Sequence, residues 1–132
     1  MLAWLLGEEE GESPRQVLAS ATQVVASELT VLEARRALLR HTIAGGIGAA
    51  VHARLRAVLE TAAASWTRLA IDDAVLVRAG QPFPVEPLRS MDAIHLATAA
   101  LAHDALGGLT VVSLDRRVRA NVHALGLPLA PT

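Results

Sequence analysis

The sequence predicts an α/β domain in which helices cover both faces of a parallel sheet, giving three layers. Short apolar runs rich in β-branched residues alternate with longer helical patterns along the chain. Hydrophobic residues make up 52% and charged residues 19% of the 132 residues, which is typical of a compact globular protein. We therefore expect a single domain that spans residues 1–132.

Composition excludes several classes of protein. The formal net charge is −1, so RNA or DNA binding would depend on a local cluster of basic residues. All 12 basic side chains of the chain are arginines. Without cysteine, disulfides, thiol catalysis and zinc fingers are excluded. The N-terminus lacks the basic segment of a signal peptide, and no charge-free run is long enough to span a membrane. We therefore expect a cytoplasmic protein.

After a short apolar helix fragment over 2–6, the first half of the chain is predicted to contain three helices and two strands. Ser13 followed by Pro14 begins the first helix, and Ser27 caps the second. The β-branched and uncharged character of the intervening run predicts a buried strand. In chain order, the predicted elements are a helix over 15–21, a strand over 23–26, helices from Ser27 to about His41 and over 49–64, and a strand over 66–71.

The second half continues the same alternation. The Asp72-Asp73 pair either caps a helix over 74–79 or provides acid/base chemistry at a strand end. A proline-rich loop over 80–87 leads to a long helix with Ser90 as its N-cap. The remaining predicted elements are a buried strand over 109–114, a basic helix over 116–125 ended by Gly126, and a short edge strand over 127–129.

Three carboxylates are the candidates for chemistry: Glu33, Asp92 and Asp115. Asp115 lies at the carboxyl end of an apolar strand, where ligands collect in α/β sheets, and Asp92 lies in the first turn of a helix. Clustered carboxylates repel one another unless a cation neutralises them, and hard oxygen ligands suit Mg²⁺ or Mn²⁺. Such an ion can activate a water molecule and orient a phosphodiester.

Each acid also has a structural interpretation. Asp92 and Asp115 are both placed to cap helices or to form surface ion pairs. Glu33 completes a capping box with Thr30 or pairs with Arg36. His95, one turn after Asp92, is either a metal ligand, a proton shuttle or a packed helix residue.

Four stretches together resemble PIN-domain ribonucleases, in particular the VapC-type toxins. They are 24–30 with Glu33, 89–99, 111–116 and 125–128, in the family's order. The resemblance implies a three-layer α/β/α fold in which Glu33, Asp92 and Asp115 are catalytic and hold one or two divalent metals, Mg²⁺ or Mn²⁺. It also implies that Ser113 supports the metal site. The implied reaction is hydrolysis of single-stranded RNA or transfer RNA.

The resemblance also implies partners. VapC-type toxins are covered by a cognate antitoxin and usually form homodimers, and no membrane is involved. Arg116, beside Asp115, and Arg89 are the candidates for contact with RNA phosphates.

The chain departs from the family at its N-terminus. PIN domains open with a strand that ends in aspartate, whereas this sequence begins in the helix that follows it. We therefore expect the N-terminal strand and the first acid to be missing, and Met1 to be a truncated or misassigned start. One alternative is a catalytically defective module that binds an antitoxin or RNA without cleaving. Others are a metal-dependent phosphatase or DNA nuclease, and a structural protein with no site.

Overall fold

The computed structural model describes residues 12–131, in two compact units that divide between Leu69 and Ala70. The expectations for the missing first strand and for the start at Met1 lie outside the described residues. Within residues 12–131, no helix is long and apolar enough to cross a membrane.

In its described part, residues 12–69, the first unit contains three helices and a pair of parallel strands. Because parallel strands cannot be joined by a tight turn, a long crossover connects them. Here the crossover consists of two helices. Strand β1 pairs with β2 over three positions, from Val25 opposite Thr67 to Ser27 opposite Leu69. The elements are α1 (Glu12–Ser20), β1 (Val25–Ser27), α2 (Glu28–Ile43), α3 (Ala49–Ala64) and β2 (Thr67–Leu69).

The second unit repeats the scheme with a shorter crossover. Strands β3 and β4 are parallel, with Val111 opposite Leu129 and Val112 opposite Ala130. The helix between them is the predicted basic helix. The elements are α4 (Asp73–Ala79), α5 (Ser90–Leu106), β3 (Val111–Val112), α6 (Arg116–Ala124) and β4 (Leu129–Ala130). Parallel pairing is therefore confirmed in both units, although the paired segments are shorter than the apolar runs predicted.

Side-chain caps explain most of the helix starts. Ser27 accepts a hydrogen bond from the Leu29 amide at 3.2 Å, and Asp72 accepts one from the Val75 amide at 3.0 Å, so both predicted caps are confirmed. The predicted cap at Ser90 is wrong by one residue. Helix α5 begins at Ser90 itself, and its N-cap is Arg89, whose side chain makes no capping bond.

Each unit has its own apolar core. In the first, Leu38 of α2 and Leu59 of α3 are completely buried with Ala34. In the second, buried residues of α4, α5 and α6 pack with Phe83 of the proline-rich loop; they are Val75, Ala93, Leu96, Ala97, Val118 and Val122. The cores lie between helices because the two-residue and three-residue strands bury little area themselves.

Glu60 of α3 links the two long helices of the first unit. Its carboxylate accepts hydrogen bonds from both Arg35 Nε and Nη2 of α2, at 2.7 and 2.8 Å, and from Arg56 Nε at 2.8 Å. The bonds from Arg35 and then Arg56 lower the pKa of Glu60 from 4.5 to about 2, against the smaller opposing effect of desolvation. Side chains on facing helices are thus held by a bidentate ion pair.

Replacing Leu38 by alanine is expected to destabilise the first unit by about 2–5 kcal/mol, because the removed atoms leave a cavity in a fully buried site. Urea unfolding followed by circular dichroism measures this change. Leu32→Ala on the same helix is the matched control, since Leu32 is 50% exposed and its truncation is expected to stay within about 0.5 kcal/mol. Equal effects of the two variants would contradict the assignment of the core.

Replacing Glu60 by glutamine is expected to lower stability at neutral pH but not near pH 2. A carboxylate whose pKa is depressed on folding stabilises the protein above its unfolded pKa. Here that contribution is lost as the pH falls from about 4.5 to about 2. Melting temperatures of wild type and Glu60→Gln, compared across this range, test it, with the exposed Asp104→Asn as control. A difference between wild type and variant that persists unchanged at pH 2 would refute the ion-pair explanation.

Candidate functional site

The site is built around the turn that follows strand β3. The Ser113 amide donates to the Ala130 carbonyl at 3.2 Å, which continues the parallel pairing beyond β3. The Asp115 amide then donates to Ser113 Oγ at 3.2 Å and turns the chain into α6. Asp115 therefore lies at the carboxyl edge of the β3–β4 pair, the edge at which α/β proteins bind ligands.

Asp115 is the N-cap of α6. Its Oδ1 accepts hydrogen bonds from the amides of Arg117, at 2.9 Å, and Val118, at 3.0 Å. Both bonds use Oδ1, so Oδ2 has no partner among the described residues and remains exposed. The positive end of the helix dipole favours negative charge at this place. The structural and functional interpretations of Asp115 are thus compatible, because they use different oxygens.

Arg119 fixes α6 to the strands. Its Nη1 donates to the Ser113 carbonyl and its Nη2 to the Pro131 carbonyl, both at 2.7 Å. These carbonyls follow β3 and β4, so one planar guanidinium joins the carboxyl ends of both strands. Arg119 is consequently engaged inside the second unit.

Asp92 lies in the first turn of α5 and is half-buried. Its carboxylate makes no hydrogen bond or ion pair with the rest of the described chain, in contrast to Asp115. Arg89, at the N-cap, is exposed, as is Arg116, the first residue of α6. His95, one turn farther along α5, is half-buried, which fits the packed interpretation.

The proline-rich loop before α5 is held by a residue that sequence reasoning missed. Asn121 of α6 is completely buried and bonds both the amide and the carbonyl of Val85, each at 2.9 Å. Arg117 Nη1 also donates to the Pro87 carbonyl at 2.9 Å. An asparagine in the middle of a basic helix has an ordinary solvent-exposed interpretation, so no sequence signal distinguished it.

A cleft of about 350 Å³ opens where the proline-rich loop meets the start of α5. Its lining contains the carboxylate of Glu86 and no cationic side chain, so it does not suit a phosphate group. The lining residues are Ala79, Gly80, Gln81, Pro82, Glu86, Leu88, Ser90 and Ala93. The exposed Arg89 and Arg116 are better suited to phosphate than this cleft.

Glu33 lies on α2 in the first unit and is half-buried. The capping box that would begin at Thr30 is not formed, since Ser27 is the N-cap and Glu33 falls within the second turn of the helix. The capping interpretation of Glu33 is therefore wrong, which leaves a side-chain pairing or a functional role.

The donor types fit a hard divalent cation. Asp92 and Asp115 Oδ2 offer carboxylate oxygens without competing partners among residues 12–131, and Mg²⁺ is commonly held by one or two carboxylates together with water and substrate phosphate. Across the same residues, no group of three or more histidine, aspartate or glutamate side chains is arranged to hold a metal ion.

Comparison with known families gives a match to the PIN domain over residues 1–123. A search of curated proteins finds no match. PIN domains are three-layer α/β/α folds, which confirms the predicted fold class, and they are generally nucleases that depend on divalent metal ions. The parallel strands, the acid at their carboxyl edge and the family match agree, and this chain belongs to the PIN-domain family.

Proposed function

We propose that this protein is a metal-dependent endoribonuclease that hydrolyses phosphodiesters of single-stranded RNA, as the toxin of a VapC-type toxin–antitoxin pair. The observation that carries the proposal is the position of Asp115. In a PIN-family chain, it presents Oδ2 at the carboxyl edge of a parallel strand pair and at the N-terminus of α6. A carboxylate fixed at such a place can hold the divalent cation that would stabilise the negative charge developing in phosphodiester hydrolysis.

Asp92 and Asp115 of the second unit are proposed to hold Mg²⁺ or Mn²⁺, and Glu33 of the first unit is a further candidate ligand that rests on the family resemblance alone. When bound, a divalent cation lowers the pKa of water and polarises a phosphoryl oxygen. The protein's part is to present the carboxylates in a fixed orientation. Ser113 contributes through its Oγ, which accepts a hydrogen bond from the Asp115 amide. This bond orients the backbone that carries the Asp115 carboxylate.

Arg89 and Arg116 are proposed to bind the RNA backbone. Both are exposed, and each lies at the N-terminus of the helix that carries one of the acids, as the N-cap of α5 and the first residue of α6. Their guanidinium groups donate to phosphate oxygens without sequence preference and so position the substrate. Two exposed arginines of this kind supply local positive charge that a net charge of −1 does not.

The proposed role includes protein partners. We propose a cognate antitoxin that covers the acidic site, and a homodimer as the working form, acting on cytoplasmic RNA. Membership of the PIN family supports this assignment, because PIN-domain proteins commonly bind RNA and antitoxins.

Asp115→Asn is expected to reduce Mn²⁺-dependent cleavage of single-stranded RNA by more than the roughly 10–100-fold typical of losing an outer-shell partner of a metal. Asparagine caps helices as well as aspartate does, so the variant removes the charge and keeps α6. Gel analysis of a labelled RNA measures cleavage. Asp115→Ala additionally loses the cap, at about 1 kcal/mol, and separates the structural from the chemical effect.

Full activity of Asp115→Asn would contradict the assignment of this acid. Absence of cleavage by the wild-type protein with either metal, combined with retained RNA binding, would favour the non-cleaving module instead.

Glu33→Gln tests the third acid separately. If Glu33 shares the cation, the variant is expected to need a higher Mn²⁺ concentration for half-maximal cleavage, because one charged ligand is lost. The control is Glu28→Gln on the same helix, where Glu28 is exposed. A metal requirement identical to that of the wild type would assign Glu33 a structural role only.

A further inference from the structure

The side-chain amide of Asn121 is completely buried in the second unit. Its Oδ1 accepts from the Val85 amide at 2.9 Å, while its Nδ2 donates to the carbonyls of Val85, at 2.9 Å, and Arg117, at 3.0 Å. The side chain thus pairs with both polar backbone groups of one loop residue, as a neighbouring strand would. Such a buried amide is tolerated because all its hydrogen bonds are made.

Arg117 makes a second hydrogen-bonded contact with the same loop. Its Nη1 donates to the Pro87 carbonyl at 2.9 Å, its amide donates to Asp115 Oδ1 at 2.9 Å, and its carbonyl accepts from Asn121. One residue therefore bonds to the candidate catalytic acid, to Asn121 and to the loop. Arg117 thus connects the loop to the N-terminus of α6, which Asp115 caps.

The proline-rich loop leads directly to the helix that carries Asp92. Pro87 precedes Ser90, where α5 begins, by three residues, and Asp92 lies in the first turn of that helix. The apolar core holds the bodies of α5 and α6 together, but apolar contacts are not directional and do not fix where a helix end points. Among the described residues, the directional bonds from α6 to the loop before α5 are those of Asn121 and Arg117.

The loop is also fastened from its other side. Phe83 is 5% exposed in the core, and Arg78 of α4 stacks on its ring at 4.0 Å from the centroid. The Phe83 amide donates to Glu86 Oε2 at 3.0 Å. Between Phe83 and Pro87, the loop is therefore held from outside at three residues, Phe83, Val85 and Pro87.

We propose that Asn121 and Arg117 are positioning residues, which set the start of α5, and with it the Asp92 carboxylate, relative to Asp115. The inference rests on the proposed nuclease function. Two carboxylates that approach a common cation repel each other before it binds, so their separation must be held by other bonds. Those bonds come from α6, which also carries the cap at Asp115. The site is thereby organised before metal and RNA arrive.

Arg117→Ala is the first test, because Arg117 is exposed and its truncation leaves the core intact. We expect kcat for single-stranded RNA and the affinity for Mn²⁺, measured from the free ion by electron paramagnetic resonance, each to fall by about 10–100-fold. Binding of the same RNA in EDTA is expected to stay within about threefold of wild type, as a positioning role predicts. Arg117→Lys should restore most of kcat, since an ammonium can also donate to the Pro87 carbonyl.

A direct contact of Arg117 with RNA predicts the opposite split. In that case, Arg117→Ala would raise KM and weaken RNA binding in EDTA, with a smaller salt dependence, while kcat and Mn²⁺ affinity stayed unchanged. That result would overturn the proposal. Arg54→Ala, which removes an exposed arginine of α3, controls for the loss of charge and is expected to leave all four quantities unchanged.

Asn121→Asp provides a second, independent variant. It keeps the size and the acceptor but loses both Nδ2 donations, and its folding is checked by circular dichroism. We expect the same loss of kcat and Mn²⁺ affinity as in Arg117→Ala. If wild type cleaves RNA and both variants match its kcat and Mn²⁺ affinity, this inference fails and the proposed function stands. If wild type neither binds Mn²⁺ nor cleaves RNA, the proposed function fails and the inference falls with it.

Discussion

The second unit depends on the attachment of helix α6 to the carboxyl edge of the β3–β4 pair. Asp115 caps the helix through Oδ1, and Arg119 joins the carbonyls of Ser113 and Pro131 through two short hydrogen bonds. A two-residue strand pair has too few ladder bonds to fix its own edge. The helix supplies the missing constraints, so the strands, the cap and the candidate site form one bonded assembly.

This attachment explains how one carboxylate can serve structure and chemistry together. A helix N-terminus needs an acceptor for its unpaired amides, and a hard divalent cation needs a fixed carboxylate ligand. Asp115 meets both needs with separate oxygens. Asp92 differs, because it lies within the first turn, caps nothing and makes no polar contact with the described chain. Its position depends on where α5 begins, and the proposed role of Asn121 and Arg117 is to fix that start.

Six of the twelve arginines fall into two groups that composition alone does not distinguish. Arg35, Arg56, Arg117 and Arg119 donate to carboxylates or backbone carbonyls within their own unit. Arg89 and Arg116 are exposed beside the acids. Arg36, Arg40, Arg54 and Arg68 are exposed as well, so neither composition nor exposure alone singles out the arginines that lie beside the acids.

The sequence by itself determined the α/β class, the parallel strands, most helix bounds and the caps at Ser27 and Asp72, because periodicity and capping are local properties of the chain. Motifs in the family's order also identified the PIN domain. Only the tertiary structure decided which polar side chains are engaged. The burial of Asn121, the fork of Arg119 and the use of a single oxygen of Asp115 depend on partners far along the chain or on the turn geometry. Such hydrogen bonds leave no periodic signal in the sequence, since each depends on where two distant segments meet.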